Sequence, residues 1–282
     1  MMTRRQVLPW LTSAALPAVM PLSGCGTVPT TPTAPSAPAP ELVKAMAPTG
    51  KLRASINLGN PILANRNKLT NEVSGVSIDL AHALAARLGV MAELIVSDTA
   101  LRSVELVKAG QADIDFFAID PLRSDGIAFS AAYVHIEGAY VVRKESRFTD
   151  NAQVDSVGTR IMAGKGSAYD LYLSRTLKAA TLMHARTSPT VVDSFLTDGA
   201  DVAAGVKQQL QADVLRLQNQ HLLRLLPGRF MVIEQAMGVQ AGRGAGAETF
   251  LRSFVETAKA SGFVAQALAR HGIQGALVAP AA

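Results

Sequence analysis

The chain twice closes a helical stretch on a glycine and enters an apolar stretch through Ala-Asp-aliphatic. The first case is Gly110-Gln111-Ala112-Asp113-Ile114, the second Gly199-Ala200-Asp201-Val202. Glycine ends helices because it takes the left-handed backbone that a side chain resists. Helices that alternate with strands at these spacings predict parallel βαβ units. The recurrence reads as two similar lobes. With 282 residues, 49% hydrophobic and 17% charged, the chain is long enough to give each lobe a core.

The first entry leads into residues 113–130, DIDFFAIDPLRSDGIAFS. The apolar run from Ile114 to Ile119 has strand character. Asp120 then supplies a cap for free backbone N–H groups, and Pro121 sits where a missing N–H costs nothing, so a short helical turn is predicted at once. Arg123 falls on its first turn, where the helix dipole disfavours a cation unless an anion pairs with it. A ligand carboxylate answers that need; a solvated surface arginine is the plain alternative.

The stretch from Gly75 to Leu80 leads into a predicted helix that runs through Leu88 on the apolar face Ile78, Ala81, Leu84, Ala85 and Leu88 and is stopped by Gly89. His82 lies on it as a surface or half-buried residue. A second helix is predicted over 99–109, and closing helices over 248–259 and 263–271. In IMAGKGSAY, residues 161–169, a strand meets a glycine and a helix start. Gly166 permits close approach, and Ser167 with the following amides of Ala168 and Tyr169 offers unpaired N–H groups to an anion. The alternative is a capping pair of Ser167 with Asp170. Residues 164–167 lack the earlier glycine of a nucleotide P-loop, and the glycines at 242, 244 and 246 precede no dinucleotide-binding unit.

Residues 1–25 read as a bacterial lipoprotein signal: Arg4 and Arg5, an apolar stretch, then Leu22-Ser23-Gly24-Cys25. Cys25 is the only cysteine, so no intrachain disulfide exists, and its place after small residues fits lipidation. Residues 3–8 also resemble a twin-arginine export signal, with Val7 and Pro9 departing from it, so both export routes stay open. An uncleaved anchor is disfavoured by Pro17 and Pro21. Prolines at 29, 32, 35 and 38 match the three-residue turn of polyproline II, which makes residues 26–48 a stiff tether. The formal charge is +5, and loss of Arg4 and Arg5 leaves +3, with no basic cluster that would call for nucleic acid.

Arg123 followed by Ile127, Ala128, Phe129 and Ser130 resembles the extracellular solute-binding proteins of family 3, the receptors of polar amino-acid ABC importers. The resemblance runs over residues 50–272, with its pieces in family order. It implies an α/β, two-lobed periplasmic-binding-protein fold of type II: two parallel-sheet lobes joined by crossing strands at 133–144 and 234–240. Lobe 1 is then 49–142 with 237–275, lobe 2 is 143–236, and 276–282 is a tail. By resemblance the ligand is held by Arg123, the backbone at Ala118, Asn60, Gly166, Ser167, Ala168 and Tyr169. No cofactor or metal is expected. The expected partners are a small anionic solute, an ABC permease in the inner membrane and the membrane itself through an N-terminal lipid. The expected state is a monomer in the bacterial cell envelope.

Several positions depart from the family. Gly59, Asn60, Pro61 and Leu63 stand where an acid, aromatics and a proline usually floor the pocket; Pro61 alone is kept, and Asn60 is also a plain turn residue before it. Phe116 and Ala118 replace two hydroxyl ligands. Val206, followed by Lys207, replaces the acid that pairs with an α-amino group, and a buried ammonium opposite Val206 would be costly. A pocket more positive than its relatives is therefore expected, preferring a carboxylate without a free α-amine. The other readings of the fold are a cyclohexadienyl-dehydratase-like enzyme, for which His135 and Glu137 are the one acid–base candidate, or a ligand-sensing domain. If Cys25 carries the anchor, Cys25→Ser should move the protein from the membrane to the soluble fraction on cell fractionation. Unchanged membrane association would refute the anchor.

Overall fold

The computed structural model describes residues 37–282. The signal segment, Cys25 and the first part of the tether lie outside the described residues. The described chain opens with α1, Pro40–Met46, whose proline stands in the first turn. Met46 has no exposed surface and Arg243 donates to the Ala45 carbonyl at 3.0 Å. The tether expected to reach residue 48 therefore stops before residue 40. A helical turn presents an apolar side to the core, which a polyproline spacer does not.

β1, Lys51–Asn57, is followed by the small hairpin of β2, Asn65–Arg66, and β3, Val73–Ser74. α2, Val76–Leu88, ends where Gly89 turns left-handed at φ 72° and returns its N–H to the Ala85 carbonyl. β4, Met91–Ser97, runs parallel to β1 from Lys51↔Met91 to Asn57↔Ser97. α3, Ala100–Lys108, is capped by the Thr99 hydroxyl, and β5, Ile114–Ala118, is buried along its whole length. A four-residue α4, Pro121–Ser124, follows the Asp120 cap.

β6, Ile127–Arg143, has 17 residues, a reach of roughly 55 Å that spans both lobes. Lobe 2 is then built from β7, Arg160–Gly164, α5, Ala168–Thr176, β8, Thr181–Ala185, α6, Val191–Thr197, and β9, Val202–Val206. α7, Lys207–Leu217, and β10, Leu223–Leu225, complete it. The return strand β11, Met231–Gln240, leads to α8, Ala245–Ala260, α9, Phe263–Arg270, and β12, Leu277–Val278.

The sheet order is β4-β1-β5-β11-β6-β9-β7-β8. β4, β1 and β5 are mutually parallel, as are β8, β7 and β9, and the antiparallel pair β6 and β11 joins the two sets. The crossing strands start earlier than expected: β6 at Ile127, where it pairs with Gln240 in lobe 1, and β11 at Met231, where it pairs with Gly138. Residues 276–282, expected as a tail, are pinned: Leu277 and Val278 pair with His135 and Val134, and Ala279 is 5% exposed.

The repeated strand entry has a physical cause. Asp113 is fully buried and accepts from the Arg53 backbone N–H at 2.9 Å, the Arg53 guanidinium at 2.8 and 3.1 Å, and Arg243 at 2.8 Å. In lobe 2, Asp201 accepts from the Arg160 backbone N–H at 2.8 Å and its guanidinium lies 3.7 Å away. In each lobe the acid at one strand entry holds the arginine of the neighbouring parallel strand. If residues 40–46 belong to the folded body, Met46→Ala should cost about 3 kcal/mol in urea unfolding. A loss within error of zero would return them to the tether.

Candidate functional site

A cavity of about 40 Å³ lies between the lobes, room for a few water molecules or a small solute head group. Lobe 1 lines it with Asn57 at the end of β1, Asn60 in the turn that follows, Ser103 on α3, Phe116 to Ala118 on β5, and Arg123. Lobe 2 lines it with Ser167, Ala168, Tyr169, Ser188 and Val206, and β11 adds Ile233 and Gln235.

Arg123 is 4% exposed, which excludes the surface-arginine reading. Its guanidinium donates to the Ala118 carbonyl at 3.1 Å and across the cleft to the Gly166 carbonyl at 3.0 Å. Burial holds its pKa below the usual value, opposed by the charges of Asp120 and Asp115. Asp120 caps Leu122 at 2.9 Å and pairs with Arg175 of α5 at 2.7 and 3.1 Å. Gly166 has φ 72°, and a Cβ there would stand 2.8 Å from the Leu101 Cβ, so only glycine fits this crossing. These three contacts hold the lobes closed.

At the start of α5 the Ser167 hydroxyl accepts from Asp170 at 3.1 Å. The Asp170 carboxylate does not complete a capping box; it accepts from the Gly166 N–H at 2.7 Å and lies 2.8 Å from His184 Nε2. Ser167 N–H donates to Gly164 at 3.0 Å. The Ser167 amide expected to be open is thus spent within the turn, as is that of Gly166. Ala168 and Tyr169, first in the helix, have no intrahelical acceptor and meet the cavity.

The family model of the bacterial extracellular solute-binding proteins, family 3, matches residues 61–271. The chain belongs to that family. Its fold is that of the two-lobed periplasmic binding proteins. The solute receptor for L-cysteine of Neisseria gonorrhoeae superposes with a TM-score of 0.70 at 20% identity, covering 83% of this chain and 95% of that one. An amino acid ABC transporter substrate-binding protein from Streptococcus pneumoniae bound to L-arginine gives 0.69 at 18%, covering 81% and 97%. An ancestral amino acid-binding protein, a precursor of cyclohexadienyl dehydratase, gives 0.67 at 17%, covering 81% and 98%. None of the curated proteins matches the sequence.

Of the residues that the family resemblance singles out, Arg123, Ala118, Asn60, Ser167, Ala168 and Tyr169 line one cavity in this family 3 chain. Gly166 does not line it; its backbone is used by Arg123 and Asp170. Val206 lines the cavity, but Lys207 does not add charge there: its Nζ lies 2.7 Å from Glu137, which also accepts from Arg229 at 2.9 Å. Those two cations hold the Glu137 carboxyl below its usual pKa. His135 faces Glu234 at 3.8 Å and Glu137 faces Lys207 and Arg229, so the acid–base candidates are divided among three other partners outside the cavity. Among the described residues no cluster of His, Cys, Asp and Glu could hold a metal, and no helix is long and apolar enough to cross a membrane.

Ser103, Gln235 and Asp115 escaped the sequence reading. Asp115 has no exposed surface; it accepts from the Ser103 hydroxyl and the Phe116 N–H, and Ser103 lies 2.7 Å from the Ser55 hydroxyl. The available signal was an acid inside an apolar strand run. Burial raises its pKa to about 7, against the opposing hydrogen bonds and the Arg123 charge. The folded carboxyl keeps its proton up to about pH 7, whereas an unfolded aspartate loses it near about pH 4. Between those limits the unfolded state binds fewer protons, so stability falls as pH rises, by roughly 4 kcal/mol in all. Asp115→Asn should therefore raise the urea midpoint at pH 8 and leave it nearly unchanged at pH 4. Equal midpoints at both pH values would show that Asp115 is ordinary.

Proposed function

We propose that this chain is the substrate-binding lipoprotein of an ABC importer. It captures a small carboxylate-bearing solute, an amino acid or related organic acid, between lobe 1 (49–142 with 237–275) and lobe 2 (143–236). The observation that carries the reading is the pairing across one cavity of buried Arg123 with the amide end of α5 at Ala168 and Tyr169. A carboxylate offers Arg123 a stronger acceptor than the neutral Gly166 carbonyl that it meets at 3.0 Å. The Ala168 and Tyr169 amides then hold the same anion from lobe 2. A solute that touches both lobes favours the closed state by those differential contacts.

Asn60 and the backbone at Ala118 complete the lobe 1 side, Ser167 the lobe 2 side, and Gly166 shapes the turn. An inner-membrane permease receives the solute, and lipidated Cys25 keeps the receptor at the envelope membrane. Binding is favoured over catalysis because His135 and Glu137 are engaged by Glu234, Lys207 and Arg229 away from the cavity.

A thermal-shift panel of amino acids and small organic acids tests the reading, since a ligand at about 100 times its dissociation constant adds roughly 2.7 kcal/mol. Truncating one partner of a buried charge pair costs about 2 to 5 kcal/mol. Arg123→Ala should therefore weaken the best carboxylate by tens-fold or more in calorimetry. An affinity that survives the substitution would remove Arg123 from the site.

A further inference from the structure

Part of the lobe 1 wall, at Asn60 and Ser103, is built to accept hydrogen bonds. The Asn60 side-chain oxygen is buried without a partner, and Asn60 lines the cavity. Ser103 also lines it, and its hydroxyl proton goes to the ionised form of Asp115 behind it. With that proton committed, the Ser55 hydroxyl at 2.7 Å becomes the donor to Ser103, and one Ser103 lone pair is left for the cavity. Arg123, near Asp115 on the same lobe 1 side, and the α5 amides of lobe 2 are the donors that meet this space.

A buried acceptor without a donor costs free energy until something donates to it. Charge points the same way. A plain carboxylate added beside Arg123 and ionised Asp115 leaves a net negative site in a low-dielectric cavity; an ammonium on the same molecule removes that excess charge, and a hydroxyl supplies only the missing donor. Lys207, bound to Glu137, does not supply the missing positive charge.

We infer that Asp115, acting through Ser103 and together with Asn60, is a specificity-determining residue that makes this site choose carboxylates bearing a hydrogen-bond donor on the neighbouring carbon over the matching 2-oxo acids. The inference rests on the solute-binding reading above, and it reverses the preference expected from Val206 and Lys207 alone. The donor is an ammonium or a hydroxyl. Asp115 touches the ligand through Ser103 and not directly, so its role is one of positioning and field. The charged or titratable groups acting on it are Arg123 of α4 and Tyr133 of β6; its neighbours on β1 and α3, Ser55 and Ser103, are neutral.

The test is calorimetry on the full chain at pH 8 with the twenty common amino acids, lactate and malate, and pyruvate, oxaloacetate and 2-oxoglutarate. The best donor-bearing acid should bind at least about tenfold more tightly than its oxo counterpart, because a site that hydrogen-bonds an OH or NH rejects the analogue lacking it. Alanine against lactate tells ammonium from hydroxyl. Asp115→Asn and, separately, Asn60→Ala should each shrink the donor-to-oxo ratio. Lowering the pH from 8 to 6 should weaken an amino-acid ligand several-fold in the wild type and leave Asp115→Asn flat, a readout that a merely structural aspartate would not move. If Asp115→Asn does not fold, Asn60→Ala and the wild-type pH profile decide. Oxo acids that bind as tightly as donor-bearing ones, or a ratio unchanged by the variants, would overturn the inference and leave solute binding standing. No response to any probe would overturn the solute-binding reading and this inference with it.

Discussion

Asp113 is an anion with no access to water, and the first lobe is arranged around satisfying it. Two guanidiniums, those of Arg53 and Arg243, and one backbone N–H converge on its carboxylate. Arg53 fixes β1 beside β5, and Arg243 brings in the loop before α8 and, through the Ala45 carbonyl, α1. Removing one partner from such a buried set costs about 3 to 5 kcal/mol, since the charge left behind has nowhere to go. The start of β5 is thereby fixed, and the residues that meet the cavity are counted off from it: Ala118 at its end and Arg123 one helical turn later. Lobe 2 repeats the device with Asp201 and Arg160 in a more exposed form.

The second acid of β5 works against the fold. Asp115 sits where a hydrophobic side chain would pack, and its raised pKa measures the cost of keeping it there. What it obtains is a fixed orientation for the Ser103 hydroxyl on the cavity wall. Stability given up at a cavity wall in exchange for a directed polar group is the ordinary relation between binding sites and folds.

Closure is the third element. Arg123 to Gly166, Asp120 to Arg175, and the Gly166 approach to Leu101 all cross the cleft. The arginine proposed to take the ligand is thus also the one that bridges the lobes. On the proposed reading a carboxylate would compete with the Gly166 carbonyl for that guanidinium, so ligand and closure would draw on the same donor.

The local elements were legible from residues alone, because their determinants are local. The stripe from Ile78 to Leu88 with Gly89 behind it, the Asp120-Pro121 start of α4 and the Ser167 start of α5 each depend on spacing and capping within one turn. The repeated Ala-Asp entry likewise announced two lobes. The sequence left undetermined whatever depends on partners far along the chain. Lys207 reads as a free cation until Glu137, 70 residues away, is seen to hold it. Asp115 reads as one letter in a strand until α3 places Ser103 against it, and the amide of Ser167 reads as free until Gly164 takes it. Periodicity and caps report the backbone's own needs within a few residues. Which charges are neutralised, which donors are spent and which acceptor is left open to a ligand are decided by contacts between elements, and only the tertiary structure contains those.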